Sequence, residues 1–190
     1  QTQKDTKISY HASGFNTTAS GDYSTASGID STASGFVSHA EGNSTASGDY
    51  SHSEGISNTA SGAYSHAEGQ GNIASGSGSH SEGGDNTASG EYSHAEGGEN
   101  MVSGNYSHAE GNNTTASGDY SHTEGVGTTA SAYGAHAQNE QNTASVANSH
   151  AGGFNSTASG QQSFIHSTNS LVTGNRSVVL GGQNLTGATA

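Results

Sequence analysis

Seven times along this chain a glutamate stands two residues after a histidine: His39 and Glu41, His52 and Glu54, His66 and Glu68, His80 and Glu82, His94 and Glu96, His108 and Glu110, His122 and Glu124. An imidazole beside a carboxylate can move protons, ligate a divalent cation or tie two surfaces together as an ion pair. Catalysis fits worst. A catalytic dyad is one constellation with a third orienting group, whereas these are near-identical copies with no unique nucleophile among them. The chain is therefore expected to be no enzyme and to need no cofactor.

Metal binding fits better. Around a three-fold axis, His52, His66, His80, His94, His108 and His122 would offer nitrogens to Zn²⁺ or Ni²⁺, with the glutamates behind them. Against this, β levels about 4.8 Å apart would crowd dications in every layer. Pairing of imidazoles with carboxylates between chains is the favoured reading, and a dedicated metal centre is not expected. Opposite charges nearby would raise the histidine pKa values, lower those of the glutamates and place maximal stability at about pH 5 to 6.

The elements that position these pairs follow from a period. Small residues recur every seven positions at Ala12, Ala19, Ala26, Ala33 and Ala40, slip once by six to Ala46, and resume at Ser53, Ala60, Ala67, Ala74 and onward to Val179. Alternate heptads differ: one reads S-H-A-E-G, the other T-A-S-G after Asn, Ser or Thr. The repeat is therefore fourteen, and His52 to His150 keep that spacing without a slip.

Composition alone points elsewhere. Only 27% of the 190 residues are hydrophobic, 30 are glycine, none is Pro, Cys or Trp, and the formal net charge is −13. Such a chain would ordinarily be disordered, but a disordered linker has no reason to hold phase this long. The only fixed cations are Lys4, Lys7 and Arg176. Nucleic acid is therefore not an expected partner, since phosphate neutralisation needs Lys and Arg. No stretch is apolar enough to span a membrane, and QTQKDTKISY has no signal-peptide pattern. The chain reads as a piece of something longer, touching a membrane only through parts outside it.

Helices do not suit a heptad with a glycine in every turn and no leucine seam. Strands do. In Ser65–His66–Ala67–Glu68–Gly69, Ser, Ala and Gly face one way, inward, while His and Glu face the other. Two short strands per fourteen residues make one flattened coil of an all-β parallel β-solenoid over residues 10–187, with a lead-in at 1–9 and an end at 188–190. About thirteen coils would give a rod of about 60 Å. Coils lined by Ala, Ser and Gly bury little apolar area, so self-association as a homotrimer is expected.

The pattern resembles the head domain of trimeric autotransporter adhesins, the YadA-like left-handed parallel β-roll. T-A-S-G recurs at 18–21, 45–48, 59–62, 87–90, 115–118 and 157–160, and Arg176-Ser177-Val178-Val179-Leu180-Gly181 is similar to the apolar half-coil of those heads. The resemblance covers about residues 10 to 187, in spacing and glycine placement more than in residue identity. It implies a left-handed, homotrimeric, extracellular fibre at a cell surface, attaching to a host surface or matrix ligand. Similar S-H-A-E-G arrays in phage tail proteins imply a virion fibre instead. In the adhesin family the apolar half-coil faces the trimer axis. Here those positions carry the His–Glu pairs and return at the C-terminal end to Phe164, Val178 and Leu180. The resemblance thus implies an axial His–Glu ladder, with T-x-S at the axis as the open alternative.

Two further columns have bland and sharp readings. Tyr50, Tyr64, Tyr92, Tyr106 and Tyr120 should stack along one corner, packing against a neighbouring subunit rather than binding a ligand. The threonines at 18, 32, 45, 59, 87, 115, 129, 143 and 157 form a hydroxyl face. An ice-binding face is a third functional reading, weakened by Ile73 and Met101 in that column.

Overall fold

Fourteen residues build one level in two strands and two corners. The computed structural model describes residues 9–187, an all-β parallel solenoid without helix among those residues. First strands start at His11, Thr25, His39 and His52, then every fourteen residues to Phe164 and Val178. Second strands start at Thr18 and Thr32, are continuous with the first in His39–Ala46 and His52–Ala60, and start again at Ile73, Thr87 and onward to Leu171 and Thr186. The rise from His11 to Val178 is twelve turns, matching the fourteen-residue coil expected from the repeat. Each strand pairs in parallel with its counterpart in the next level, like on like: His94 with His108, Ala95 with Ala109, Glu96 with Glu110, Gly97 with Gly111. The lead-in at 1–8 and the end at 188–190 lie outside the described residues.

Identical residues stack because the corners are identical. At one corner the backbone turns through a left-handed residue, such as Asp85 (φ 55°) or Asn113 (φ 55°). At the other, Gly62–Ala63–Tyr64–Ser65 closes with the Ser65 N–H donating to the Gly62 carbonyl at 3.2 Å, and Tyr64 sits at φ 59°. The Ser65 hydroxyl donates to the same carbonyl at 2.6 Å. Glycine is required where levels touch. A Cβ on Gly90 would stand 2.0 Å from the Gly104 carbonyl oxygen, and Gly83, at φ +102°, would meet the Gly97 oxygen at 2.2 Å.

The six-residue step removes the left-handed corner residue of one level. Asn43 runs straight into Ser44, the two strands fuse as His39–Ala46, and pairing shifts so that Asn43 faces Ile56 while Ser44 faces Asn58. Ser57, at φ 59°, is bulged out opposite the deletion. A second shift lies near the end, where His166 pairs with Leu180 but Thr168 with Gln183.

The interior is as narrow as the repeat requires. Ala26, Ala33, Ala40, Ala46, Ala60, Ala67, Ala74, Ala88 and Ala95 are all 0% exposed. Larger side chains enter this column at Val102, Ile165, Val172 and Val179. Ser53, Ser81 and Thr123 interrupt it with buried hydroxyls that lack a hydrogen-bond partner.

Beside the alanines runs a polar spine. Asn58, Asn72, Asn86, Asn100 and Asn142 are buried, and each uses both ends of its amide. The Nδ2 of Asn72 donates to the Glu68 carbonyl at 2.6 Å and the Gly83 carbonyl at 2.8 Å, while its Oδ1 accepts the Asn86 N–H at 3.0 Å. A buried amide satisfied on every side holds two adjacent levels and one corner together, and losing it would strand several polar groups. Register in this fold is therefore secured by hydrogen bonds as much as by apolar area.

Candidate functional site

Alternation along the first strand sends Ala inward and His and Glu out, and stacking turns each type into a column. The imidazoles form an almost unbroken pile from His39 to His150. Ring centres of His52, His66, His80, His94, His108, His122 and His136 follow one another at 4.7–5.0 Å, nearly parallel from His52 to His136. His39 and His150 cap the pile edge-on, and Phe164 stacks on His150 at 4.5 Å. His136 and His150 belong to this column although Gln138 and Gly152 occupy the places of their glutamates. Their fourteen-residue spacing is visible in the sequence, so the histidine period, not the His–x–Glu pair, is the signal that finds them.

The glutamates form a second column, Glu41 to Glu124. In the first four levels each histidine Nε2 faces its own level: His39 to Glu41 at 3.6 Å, His52 to Glu54 at 3.4 Å, His66 to Glu68 at 3.4 Å, His80 to Glu82 at 3.6 Å. Further along the partner changes to the preceding level, with His108 to Glu96 at 3.4 Å and His136 to Glu124 at 3.7 Å. These contacts are ion-pair distances rather than hydrogen bonds, and the Nε2 atoms from His52 to His150 are buried without a hydrogen-bond partner. Glu68, Glu82, Glu96 and Glu110 line an open groove of about 450 Å³ whose remaining walls are glycine. At the C-terminal end the His column continues as Phe164 and Val178, and the Glu column as His166 and Leu180. Val178 and Leu180 are 63% and 68% exposed.

Within a single chain the electrostatics run opposite to those expected of pairing between chains. His52, His80, His94, His108 and His136 titrate below the ordinary histidine value, first because burial disfavours the charged ring and next because another imidazole stacks on it. Neighbouring carboxylates pull upward but come third. His150, flanked by His136 and His166 and lacking a glutamate, falls to about 4. Glu96 moves up, from burial first and then from the carboxyls of Glu110 and Glu82 above and below it.

A depressed histidine pKa contributes stability that is complete above the unfolded value of 6.5 and is lost as pH falls through the folded value. The raised Glu96 pKa works the other way, favouring the folded state in acid and losing that contribution as pH rises through its folded value. With several histidines against one glutamate, the metal-free protein should gain thermal stability from about pH 4 to about pH 6.5 and then level off. Melting curves in chelator across that range check it. A maximum at pH 5 to 6 followed by a fall toward pH 8 would restore the ion-pair expectation.

The tyrosine column stacks as expected, but along its own chain. Tyr50 lies flat on Tyr64 at 5.0 Å, and Tyr92, Tyr106 and Tyr120 follow at 5.3 Å. Every one occupies a left-handed backbone position, rare for a bulky residue, and Gly78 fills that position between Tyr64 and Tyr92. The threonine column is in register at two-residue strands, broken by Ile73, Met101 and Leu171. None of the described residues lies in a helix long and apolar enough to cross a membrane. No family model and no curated protein matches the chain, so its functional reading stands on the columns themselves.

Proposed function

We propose that this chain is a rigid, non-enzymatic segment of a homotrimeric extracellular fibre, a left-handed β-roll of the YadA-like type that mediates attachment to a surface. One observation carries the reading. The His–Glu face ends in strongly exposed Val178 and Leu180, on a solenoid whose buried apolar side chains are mostly alanine. Exposed apolar side chains in line with a continuous flat face mark a surface made to be covered, and three copies around an axis cover it without leaving an open edge. The His and Glu columns would then face their counterparts across that axis, the Tyr corner would pack against a neighbouring subunit, and the Thr–Ser face would point outward. Stacked identical levels supply length and stiffness, which attachment fibres need and catalysis does not.

The assembly state tests this. Sedimentation equilibrium of the folded protein at micromolar concentration should give a mass of three 18.8 kDa chains. A folded monomer under those conditions would remove the reading.

A further inference from the structure

We propose that the middle of the His–Glu face holds divalent transition-metal ions within a single chain, at two alternate sites. One is formed by Glu82, His94 and Glu96, the other by Glu110, His122 and Glu124. In each triad the three ligating atoms lie within 4.8 Å of one another. An ion about 2.1 Å from its ligands separates them by about 3.0–3.4 Å, somewhat closer than the 4.8 Å within which the ligating atoms of each triad lie. Small rotations of exposed carboxylates close the remainder.

Three independent features make this more than an acidic surface. The Nε2 atoms of His94 and His122 are buried without a hydrogen-bond partner although they sit beside carboxylates. Around these residues no fixed cation is available, because no Lys or Arg occurs between Lys7 and Arg176. Glu82, Glu96 and Glu110 stack one per level along a glycine-walled groove.

The crowding objection to a metal in every level is answered by the sharing of ligands. A third triad, Glu96, His108 and Glu110, borrows one glutamate from each of the other two, so it cannot fill when they do. Alternate filling sets the ions two levels apart, about 9.6 Å, instead of about 4.8 Å. One imidazole with two carboxylates and completing waters suits Zn²⁺, Co²⁺ or Mn²⁺. It offers a nitrogen that Ca²⁺ does not favour and no sulfur for softer ions. The triads are complete in one chain and do not depend on assembly.

The test is a calorimetric titration of the metal-free protein with Co²⁺, read in parallel by visible absorption. Two ions per chain are expected, with a cobalt band characteristic of nitrogen and oxygen ligands. The double variant Glu96→Gln/Glu110→Gln breaks all three triads with side chains of the same shape that lie outside the alanine interior, so its β-rich circular dichroism should persist. Its affinity should fall at least about 100-fold and the band vanish. Glu54→Gln, outside the triads, should bind like wild type. Unaltered binding by the double variant, or no saturable binding by wild type below millimolar Co²⁺, would overturn the proposal. So would one ion per three chains. Two ions per chain on a sedimenting monomer would uphold the metal sites while removing the trimer.

Discussion

Replacing Ala67 by leucine should lower the melting temperature by roughly 6–12 °C, the consequence of about 3 kcal/mol lost from a chain of this size. Ala67 is 0% exposed, with Ser53 and Ser81 stacked on either side in its own column and Ala60 and Ala74, also fully buried, in the neighbouring second strands. The levels cannot separate to make room, because the spine from Asn58 to Asn72 ties them by hydrogen bonds at 2.5–2.8 Å. Val102 shows that the second-strand column admits a short branched side chain between Ala88 and Ala116, while Ala67's own column admits Ile165 near the C-terminal end, where Val179 replaces alanine in the next level. Leucine reaches one carbon further toward the opposite strand, and overpacking of this kind costs at the upper end of its usual range. Thr59→Val, on the half-buried outer face of the neighbouring second strand, should change stability by under about 0.5 kcal/mol. Thermal melts of the two variants beside wild type check the contrast, and equal stability of Ala67→Leu and wild type would contradict the interior described above.

How much of this could be read in the residues depends on what each column needs. The period of Ala60, Ala67 and Ala74 sufficed for the narrow interior, since only a small side chain can recur on the inward face of so thin a coil. Fourteen-residue spacing likewise sufficed to stack His66 on His80. The residues whose roles stayed hidden act between levels. Asn72 occupies a place also taken by Ser and Thr elsewhere in the repeat, and its double grip on Glu68 and Gly83 carbonyls needs three dimensions to appear. Tyr64 reads as an ordinary aromatic, although the backbone beneath it is left-handed.

Within one chain the charge state of the histidines depends on stacking for a related reason. Sequence places Glu54 two residues from His52, which argues for a raised pKa. Stacking places His66 and His39 on either face of the same ring, and together with burial they outweigh the carboxylate. The switch of partner from Glu82 for His80 to Glu96 for His108 is equally invisible in a repeat whose letters do not change. That switch is what brings two glutamates around His94 and creates the triads.

The claim that organises the rest is that three chains meet along the His–Glu face. A single cysteine tests it directly, because the natural chain has none to compete. Leu180→Cys places a thiol on the exposed C-terminal end of that face, in the column that pairs through His166. Around a three-fold axis the three thiols would approach one another, and two of them should join under mild oxidation if their Cα atoms come within about 4.4–6.8 Å. Thr157→Cys, on the Thr–Ser face, serves as the comparison, since the account turns that face outward. Non-reducing electrophoresis after oxidation should show most of the Leu180→Cys chains paired into covalent dimers and Thr157→Cys remaining monomeric. Pairing through Thr157→Cys instead, or no pairing by either variant, would contradict the axial His–Glu face.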